Sequence, residues 1–476
     1  MGSGSNWAEN EHPELKPIPE NERPYGTLTF WFMMFSMNTC IPMFFLGPIA
    51  RSLNLTPLEA AIGALIGNIA ATIVMILNGY PGWKYGIPFP VQLRPSFGKR
   101  GIHLPVLLRG IVGAGWLGVE AYGGSLAITM IALWALGIDR TTVVGEAYKY
   151  VVIALIAYIA LAIIVTSKGL KGIGYVANYG GPLLLLYFLW LLLFLHGKNI
   201  NITLPAGVGL GSAAFITYVA VQTNWWATVA LNISDLSRGL RKNKTTLWGG
   251  LVGGPIIGIV LAQVFGTLLG YYLVLYTQAL YGQGIVTPQD IVMVAAPGAI
   301  ALVLGELFAF LAPFSTDVTA NIPPIIDILT ASFKLSIKKA ALIAGVIGFI
   351  IAPWWAVDKG QDYVNYVTSF SANYGVILGP IAGIMLADYY IIRKMKYTER
   401  ELYSNTGIRW LEGVNWAGIT SLVLAIATSY VYSWLRGELQ SVGFLVFPSP
   451  LSWYIGVVSG LVYQVVLFKL LYNRPT

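Results

Sequence analysis

Apolar stretches separated by short polar runs fill nearly the whole 476-residue chain. A hydrocarbon layer of ~30 Å needs ~20 apolar residues for each crossing helix. Twelve segments meet that length: roughly 27–50, 57–81, 104–134, 148–167, 173–196, 210–233, 247–278, 297–321, 338–357, 364–392, 413–435 and 449–473. The pattern predicts an all-α polytopic membrane protein with 12 transmembrane helices. Several segments are longer than a crossing requires, which predicts tilt or interruption.

Two segments carry polar residues in mid-span. The first contains Asn38-Thr39-Cys40-Ile41-Pro42 and the sixth Gln222-Thr223-Asn224-Trp225-Trp226. Pro42 also removes a backbone donor. Frayed backbone at membrane depth is tolerated only against protein or a water-filled cavity. Either break alone reads equally well as a simple kink. At matching places in two halves, they predict a site between interrupted helices, as in transporters built from inverted repeats. Twelve helices divide as five, five and two. The expected organisation is a tail at 1–25, a core at 26–400 with repeats at about 26–197 and 208–395, and two added helices within 401–476.

The basic residues then set orientation. With the N-terminus inside, the cytoplasmic loops hold 18 Lys and Arg and the opposite loops 6. Both termini are therefore expected on the cytoplasmic side of the cell membrane. This placement also removes the simplest meaning of the net charge of +8: no nucleic-acid partner is expected. Composition agrees, with 56% hydrophobic and only 11% charged residues, against ~25% charged in soluble domains. The sole cysteine, Cys40, excludes an internal disulfide framework, and His12, His103 and His196 show no metal-ligand spacing. No cofactor is expected. The first 25 residues are polar and rich in Pro and Glu, so no cleavable leader is expected, and Met1–Ser5 reads as a cloning remnant.

Few residues carry chemistry. Trp116 and Glu120 are four apart in the third segment and share a helix face. Tryptophan favours the membrane interfaces, so a mid-membrane Trp beside a carboxyl offers a stacking plane and a hydrogen-bonding edge. A packed Trp with a structural carboxylate is the plainer alternative. An ionisable side chain at this depth is costly and marks a candidate functional site. Glu306 and Asp317 are further intramembrane acids, eleven residues apart on one face; for Glu306, pairing with a basic residue such as Arg109 is the favoured reading. Ser315 and Thr316 could supply oxygens to Na⁺, a hard cation, or bond back to their own helix. Asn321 can both donate and accept. No nucleotide-binding loop, nucleophile elbow, zinc or kinase motif is present. The run Gly249–Gly254 reads as a close-packing surface.

Several longer motifs carry a family resemblance. They include Leu77-Asn78-Gly79, Lys84-Tyr85-Gly86-Ile87-Pro88-Phe89-Pro90, Arg94-Pro95-Ser96-Phe97-Gly98, Gly115-Trp116-Leu117-Gly118, Leu231-Asn232-Ile233-Ser234-Asp235 and Gly379–Tyr390. From about Tyr25 to the last helix, the chain resembles the nucleobase–cation symport-1 family of hydantoin, allantoin, cytosine and uracil transporters. The resemblance implies a LeuT-type five-plus-five inverted repeat with two added helices. It implies a ring substrate stacked between Trp116 and Trp226 and hydrogen-bonded by Glu120 and Asn321, with Cys40 facing it. It also implies Na⁺ held by Ala312, Ser315 and Thr316 on helix eight, with helix-one partners near Ser36 and Thr39. Three positions depart from the family pattern: Glu120 replaces a usual Gln, Trp225 a small residue and Asp317 a frequent Asn.

The expected function is import of a nucleobase, hydantoin or allantoin-like ureide by Na⁺ symport with alternating access. The partners are the substrate, the cation and the lipid bilayer, and the expected state is a monomer. The alternatives are proton-coupled transport of a cationic or donor-rich, vitamin-like heterocycle, or amino-acid transport on the same fold. An integral membrane enzyme would need a His, Asp, Glu or Cys constellation near an interface, and none is visible. A sensor would be expected to carry an added signalling domain.

Overall fold

The break in the first helix organises the fold. Helix α1 (Thr27–Asn38) ends where the Thr39 N–H closes on the Phe35 carbonyl, and α2 (Pro42–Ser52) restarts with Pro42 in its first turn, bent by 59°. Pro42 needs no intrahelical partner at such a start. Asn38 bridges away from its own helix, donating to the Ile259 carbonyl at 3.4 Å.

This computed structural model describes all residues except 1–10, 196–202, 283, 356, 358–361, 364–366, 368–369, 371–373, 404–407, 443–444 and 473–476. The expected remnant at 1–5, His196, Lys198, Lys359 and most of 364–373 lie outside the described residues. The remaining long helices are α3 (Pro57–Tyr85), α4 (His103–Ala135), α5 (Arg140–Thr166), α6 (Leu170–Leu191), α7 (Ala213–Asn232), α8 (Thr246–Tyr281), α9 (Gly298–Phe333), α10 (Ile337–Ile351), α11 (Gly375–Ile392), α12 (Trp416–Leu435) and α13 (Ser452–Tyr472). They match the twelve expected segments one for one, with α1 and α2 as a single broken span. Among the described residues nine are long and apolar enough to cross a membrane, or ten with the bent pair. The other two are α7, whose centre is polar, and α10, which spans only 15 residues.

Caps explain where several helices begin. Thr56 and Glu59 form a reciprocal capping box before α3. Glu59 also accepts from the Val208 and Gly209 N–H groups, tying α3 to the segment before α7. Helix α5 starts at Arg140, eight residues earlier than the apolar run predicted, because Asp139 caps it. The Thr141 and Thr142 hydroxyls and the Thr142 N–H hold the Asp139 carboxyl well below the usual range. At the other end of α3, Gly86 adopts a left-handed conformation (φ +74°), and a Cβ there would meet the Ile18 carbonyl at 2.6 Å.

Lipid and protein faces separate as a membrane setting demands. On α5 the exposed Ile153, Ile156, Leu161 and Ile164 are all apolar, as a lipid-facing stripe must be. Helix pairs approach closely through small residues. A Cβ on Gly383 of α11 would strike the Val457 carbonyl at 2.0 Å, and one on Gly456 of α13 would strike Pro380 Cδ at 2.3 Å. Gly254 of α8 lies similarly against Phe30 of α1, as expected for the Gly249–Gly254 run. A short antiparallel ribbon, Gln440–Val442 with Leu445–Phe447, joins α12 to α13 and is the only sheet among the described residues.

Basic side chains gather at one end of the bundle around the N-terminal segment. Glu11 pairs with Arg94, Glu14 with Arg238 and Glu20 with Lys242. Tyr25 bridges to Leu240, and its hydroxyl donates to the Leu170 carbonyl at 2.6 Å.

Candidate substrate site

Four elements converge on one buried cavity. The α1–α2 break contributes Met37 and Cys40, and α4 contributes Trp116 and Glu120. Helix α7 supplies Trp225, Trp226, Thr228 and Val229, and α9 supplies Thr316, Ala320 and Asn321. The free volume between them is small, about 20 Å³. All six expected substrate residues line this one cavity, although they lie as much as 281 positions apart, from Cys40 to Asn321.

The α9 contribution depends on a local distortion. Asp317–Asn321 forms a single π-helical turn, widening the helix where Thr316 and Asn321 face the cavity. Such turns are frequent at functional sites. The expected break in the sixth segment is not present: α7 runs continuously from Ala213 to Asn232. Its central polar residues satisfy other helices instead. Gln222 bonds to Asn68, Tyr218 and Thr267, Thr223 reaches the Gly67 carbonyl and the Tyr454 hydroxyl, and Asn224 donates to the Pro450 carbonyl. Polar side chains in mid-span were read as a break in the backbone, whereas they connect helices.

Aromatic geometry around Trp116 is more crowded than the sequence suggested. The ring beside it is Trp225, edge-on with centroids 5.1 Å apart and planes at 63°. Phe370 and Tyr374 also meet Trp116 edge-on, at 5.6 and 6.3 Å. Trp226 lines the same cavity, with its indole N–H held by Gln263 at 3.4 Å. Phe370, Tyr374 and Gln263 were not singled out from the sequence. The i, i+4 spacing of Phe370 and Tyr374 was visible, but nothing in it pointed toward Trp116.

Polar groups complete the lining. One Glu120 oxygen, Oε2, is buried with no partner, and Cys40 lines the same cavity. Asn321 donates from Nδ2 to Asp317 at 2.8 Å, and Tyr158 donates to the other Asp317 oxygen at 2.7 Å. Beside the cavity, the Thr316 hydroxyl donates to the Met37 carbonyl at 2.9 Å and lies 3.2 Å from that of Ala312. Ser315 Oγ is buried without a partner. The Ser36 and Thr39 hydroxyls instead turn back to the Met33 and Phe35 carbonyls of their own helix. The helix-one oxygen that reaches this place is thus the Met37 carbonyl. Among the described residues, no group of three His, Cys, Asp or Glu side chains is arranged to hold a metal.

Arg109 does not pair with Glu306. Its guanidinium donates to the Thr228 carbonyl at 3.1 Å, Asn232 Oδ1 at 2.9 Å and the Ala320 carbonyl at 3.1 Å, locking α4, α7 and α9 together. Asn232 in turn donates to Asp235, which accepts from the Phe89 N–H. Both Glu306 oxygens are buried with no partner.

A helical bundle with a broken first helix, enclosing an aromatic cavity at its centre, defines a membrane permease of the five-plus-five inverted-repeat class. Comparison with known proteins makes the assignment specific. A family model described as permease for cytosine/purines, uracil, thiamine, allantoin matches residues 17–456. The chain belongs to this family, the nucleobase–cation symport-1 permeases, and is a permease rather than an enzyme. The allantoin permease of Bacillus subtilis is 26% identical, covering 98% of this chain and 94% of that protein. The hydantoin permease of Microbacterium maritypicum is 24% identical, covering 88% and 84%. The solved transporter Mhp1, closed with bromovinylhydantoin bound, superposes with a TM-score of 0.79 at 20% identity, covering 97% of this chain and 96% of that one.

Proposed function

We propose that this permease imports a small planar nitrogen heterocycle, a nucleobase, hydantoin or allantoin-like ureide, by Na⁺ symport with alternating access. The observation that carries the reading is the shared cavity of Trp116, Trp225, Trp226, Glu120 and Asn321, directly beside Thr316 and Ser315. Aromatic rings supply stacking that tolerates any flat π-system. Glu120 and Asn321 then select among rings by their hydrogen-bonding edge. Trp116, Trp226, Glu120, Asn321, Trp225 and Cys40 are the proposed substrate contacts.

Na⁺ would be held by Ser315, Thr316 and the Ala312 and Met37 carbonyls. The orphaned Ser315 hydroxyl supports that fit, because a buried polar group without a partner is costly unless something meets it. Ser36 and Thr39 are less suited, since their hydroxyls are satisfied locally. An amino-acid substrate fits less well, because its carboxylate would face the Glu120 carboxyl. Proton coupling is the second reading, favoured by one observation: Glu306 is a buried acid with neither oxygen partnered. We place both termini on the cytoplasmic side. The clustering of Lys84, Arg94, Lys99, Arg238 and Lys242 at the end that binds the N-terminal segment supports this. The repeats are proposed at about 26–197 and 208–395, with the two following helices as additions and a monomer as the working unit.

A thermal-shift panel of the purified protein tests the reading. Nucleobases, hydantoins, allantoin and B-vitamin rings are tried with Na⁺ and with choline as the replacing cation. A ligand that binds the folded state raises its melting temperature. At least one ring should do so, and more strongly in Na⁺. A panel in which only amino acids stabilise the protein would overturn the substrate class.

A further inference from the structure

The chemistry around Asn321 narrows the substrate further. Asn321 offers the cavity an amide that could present either its oxygen or its NH₂ group. Asp317 decides between them. It is fully buried, sits one helical turn before Asn321, and accepts Asn321 Nδ2 at 2.8 Å on one oxygen. Its other oxygen accepts the Tyr158 hydroxyl at 2.7 Å. A carboxylate that takes two donors is acting purely as an acceptor, so it holds the NH₂ side of Asn321 toward itself. The oxygen Oδ1 is thereby turned away from Asp317, on a residue that lines the cavity.

Glu120, which lines the same cavity, has a buried oxygen without a partner, Oε2. Two acceptors therefore converge from α4 and α9. We infer that Asp317 is a positioning residue that fixes the Asn321 amide with its oxygen toward the substrate, so that the site selects a heterocycle presenting neighbouring N–H donors, as in an amino-lactam edge or a ureido group. The inference rests on the proposed heterocycle reading of this cavity. An Asn at 317 would carry one donor and one acceptor, so the direction it imposes on Asn321 would depend on which of the two the Tyr158 hydroxyl occupies. In Asp317→Asn, the Tyr158 hydroxyl can take the new amide oxygen. The new NH₂ group would then face Asn321 and turn its amide around, presenting Nδ2 to the cavity.

Two matched ligand pairs test this. Guanine differs from hypoxanthine by one exocyclic NH₂, and allantoin differs from hydantoin by a ureido group. Affinities of all four are measured by titration calorimetry on the purified full-length permease and on Asp317→Asn, with Asp317→Ser in reserve should the first variant not fold. The parent should prefer the donor-richer member of whichever pair it binds by about 5- to 30-fold, the worth of one or two added hydrogen bonds. The variant should bring that ratio to near unity or reverse it. A purely structural role for Asp317 would lower both affinities together and leave the ratio unchanged, which overturns the inference. A parent that binds a pair without preferring its donor-richer member overturns it as well, while leaving the heterocycle reading intact. If none of the four binds, and nothing else in the wider panel does, the heterocycle reading itself falls.

Discussion

The Thr316 hydroxyl donates to the Met37 carbonyl at 2.9 Å, joining α9 to the α1–α2 break across 279 positions of sequence. With Ser315 Oγ unpartnered alongside, this is where the proposed coupling cation would link the two elements. Substrate and Na⁺ must raise each other's affinity by the same factor, because linkage is reciprocal. The double variant Ser315→Ala/Thr316→Ala should therefore bind substrate equally in Na⁺ and in choline, while the parent binds more tightly in Na⁺. A parent with no Na⁺ effect at any pH would direct attention to protons and to Glu306.

The stacking rings give the second prediction. Trp116→Ala and Trp226→Ala should each weaken substrate binding by about 1–3 kcal/mol, the range found for base–aromatic stacking. Trp225→Ala should separate two roles for its ring. Trp225 meets Trp116 edge-on at 5.1 Å. If it mainly limits pocket size, its removal should admit bulkier ring substituents while small rings keep most of their affinity. Binding of a graded series of 5-substituted hydantoins to the three variants provides the measurement. Parent-like binding by both Trp116→Ala and Trp226→Ala would rule out the sandwich.

Arg109 provides a prediction about stability. It is fully buried and donates to three acceptors on α7 and α9, two of them carbonyls of the cavity-lining residues Thr228 and Ala320. Arg109→Met removes all three bonds and the guanidinium charge near Asp235. A buried acceptor left without its donor costs about 1–3 kcal/mol, so the variant should melt well below the parent in detergent. A change within 1 °C would show that water or rearranged neighbours replace the guanidinium.

How far the sequence could be read follows from the kind of signal each feature leaves. Apolar length is written locally, so every expected segment found its helix. The helix-one break was legible too, because Pro42 acts on its own backbone. The supposed break at Gln222–Trp226 was not, because polar residues in mid-span look the same whether they open a helix or bond to a neighbour. Trp116 and Glu120 were marked as a pair by their i, i+4 spacing, but only the family resemblance joined them to Trp226 and Asn321. Arg109 shows the limit most clearly. A lone buried cation was visible, but its partners include two backbone carbonyls on other helices, and backbone acceptors leave no mark in a sequence. Phe370, Tyr374 and Met37 escaped for the same reason, as their roles exist only in the packing.

The last prediction concerns Glu120, which lines the cavity and has Oε2 buried without a partner. An ionised carboxylate only accepts, and selects N–H donors or positive charge; a protonated one both donates and accepts, imitating an amide. Glu120→Gln distinguishes the two states, because it keeps the shape and removes the charge. With Asn321 already presenting an acceptor, a substrate with neighbouring N–H groups is best met by a second pure acceptor. The variant should then lose about 1–3 kcal/mol of binding, the worth of a charge-assisted hydrogen bond. The pH dependence has a definite sign. Binding that requires the ionised acid weakens as pH falls through the carboxyl's titration, so the parent should lose affinity toward pH 5 while Glu120→Gln stays flat. If the acid works protonated, the slope reverses: the parent loses affinity toward pH 9 and the Gln variant binds nearly normally throughout. Calorimetric titrations of both proteins from pH 5 to 9 decide between these slopes. Equal affinities and equal profiles would mean that Glu120 does not touch the substrate, and the hydrogen-bonding edge would have to be sought elsewhere along α4.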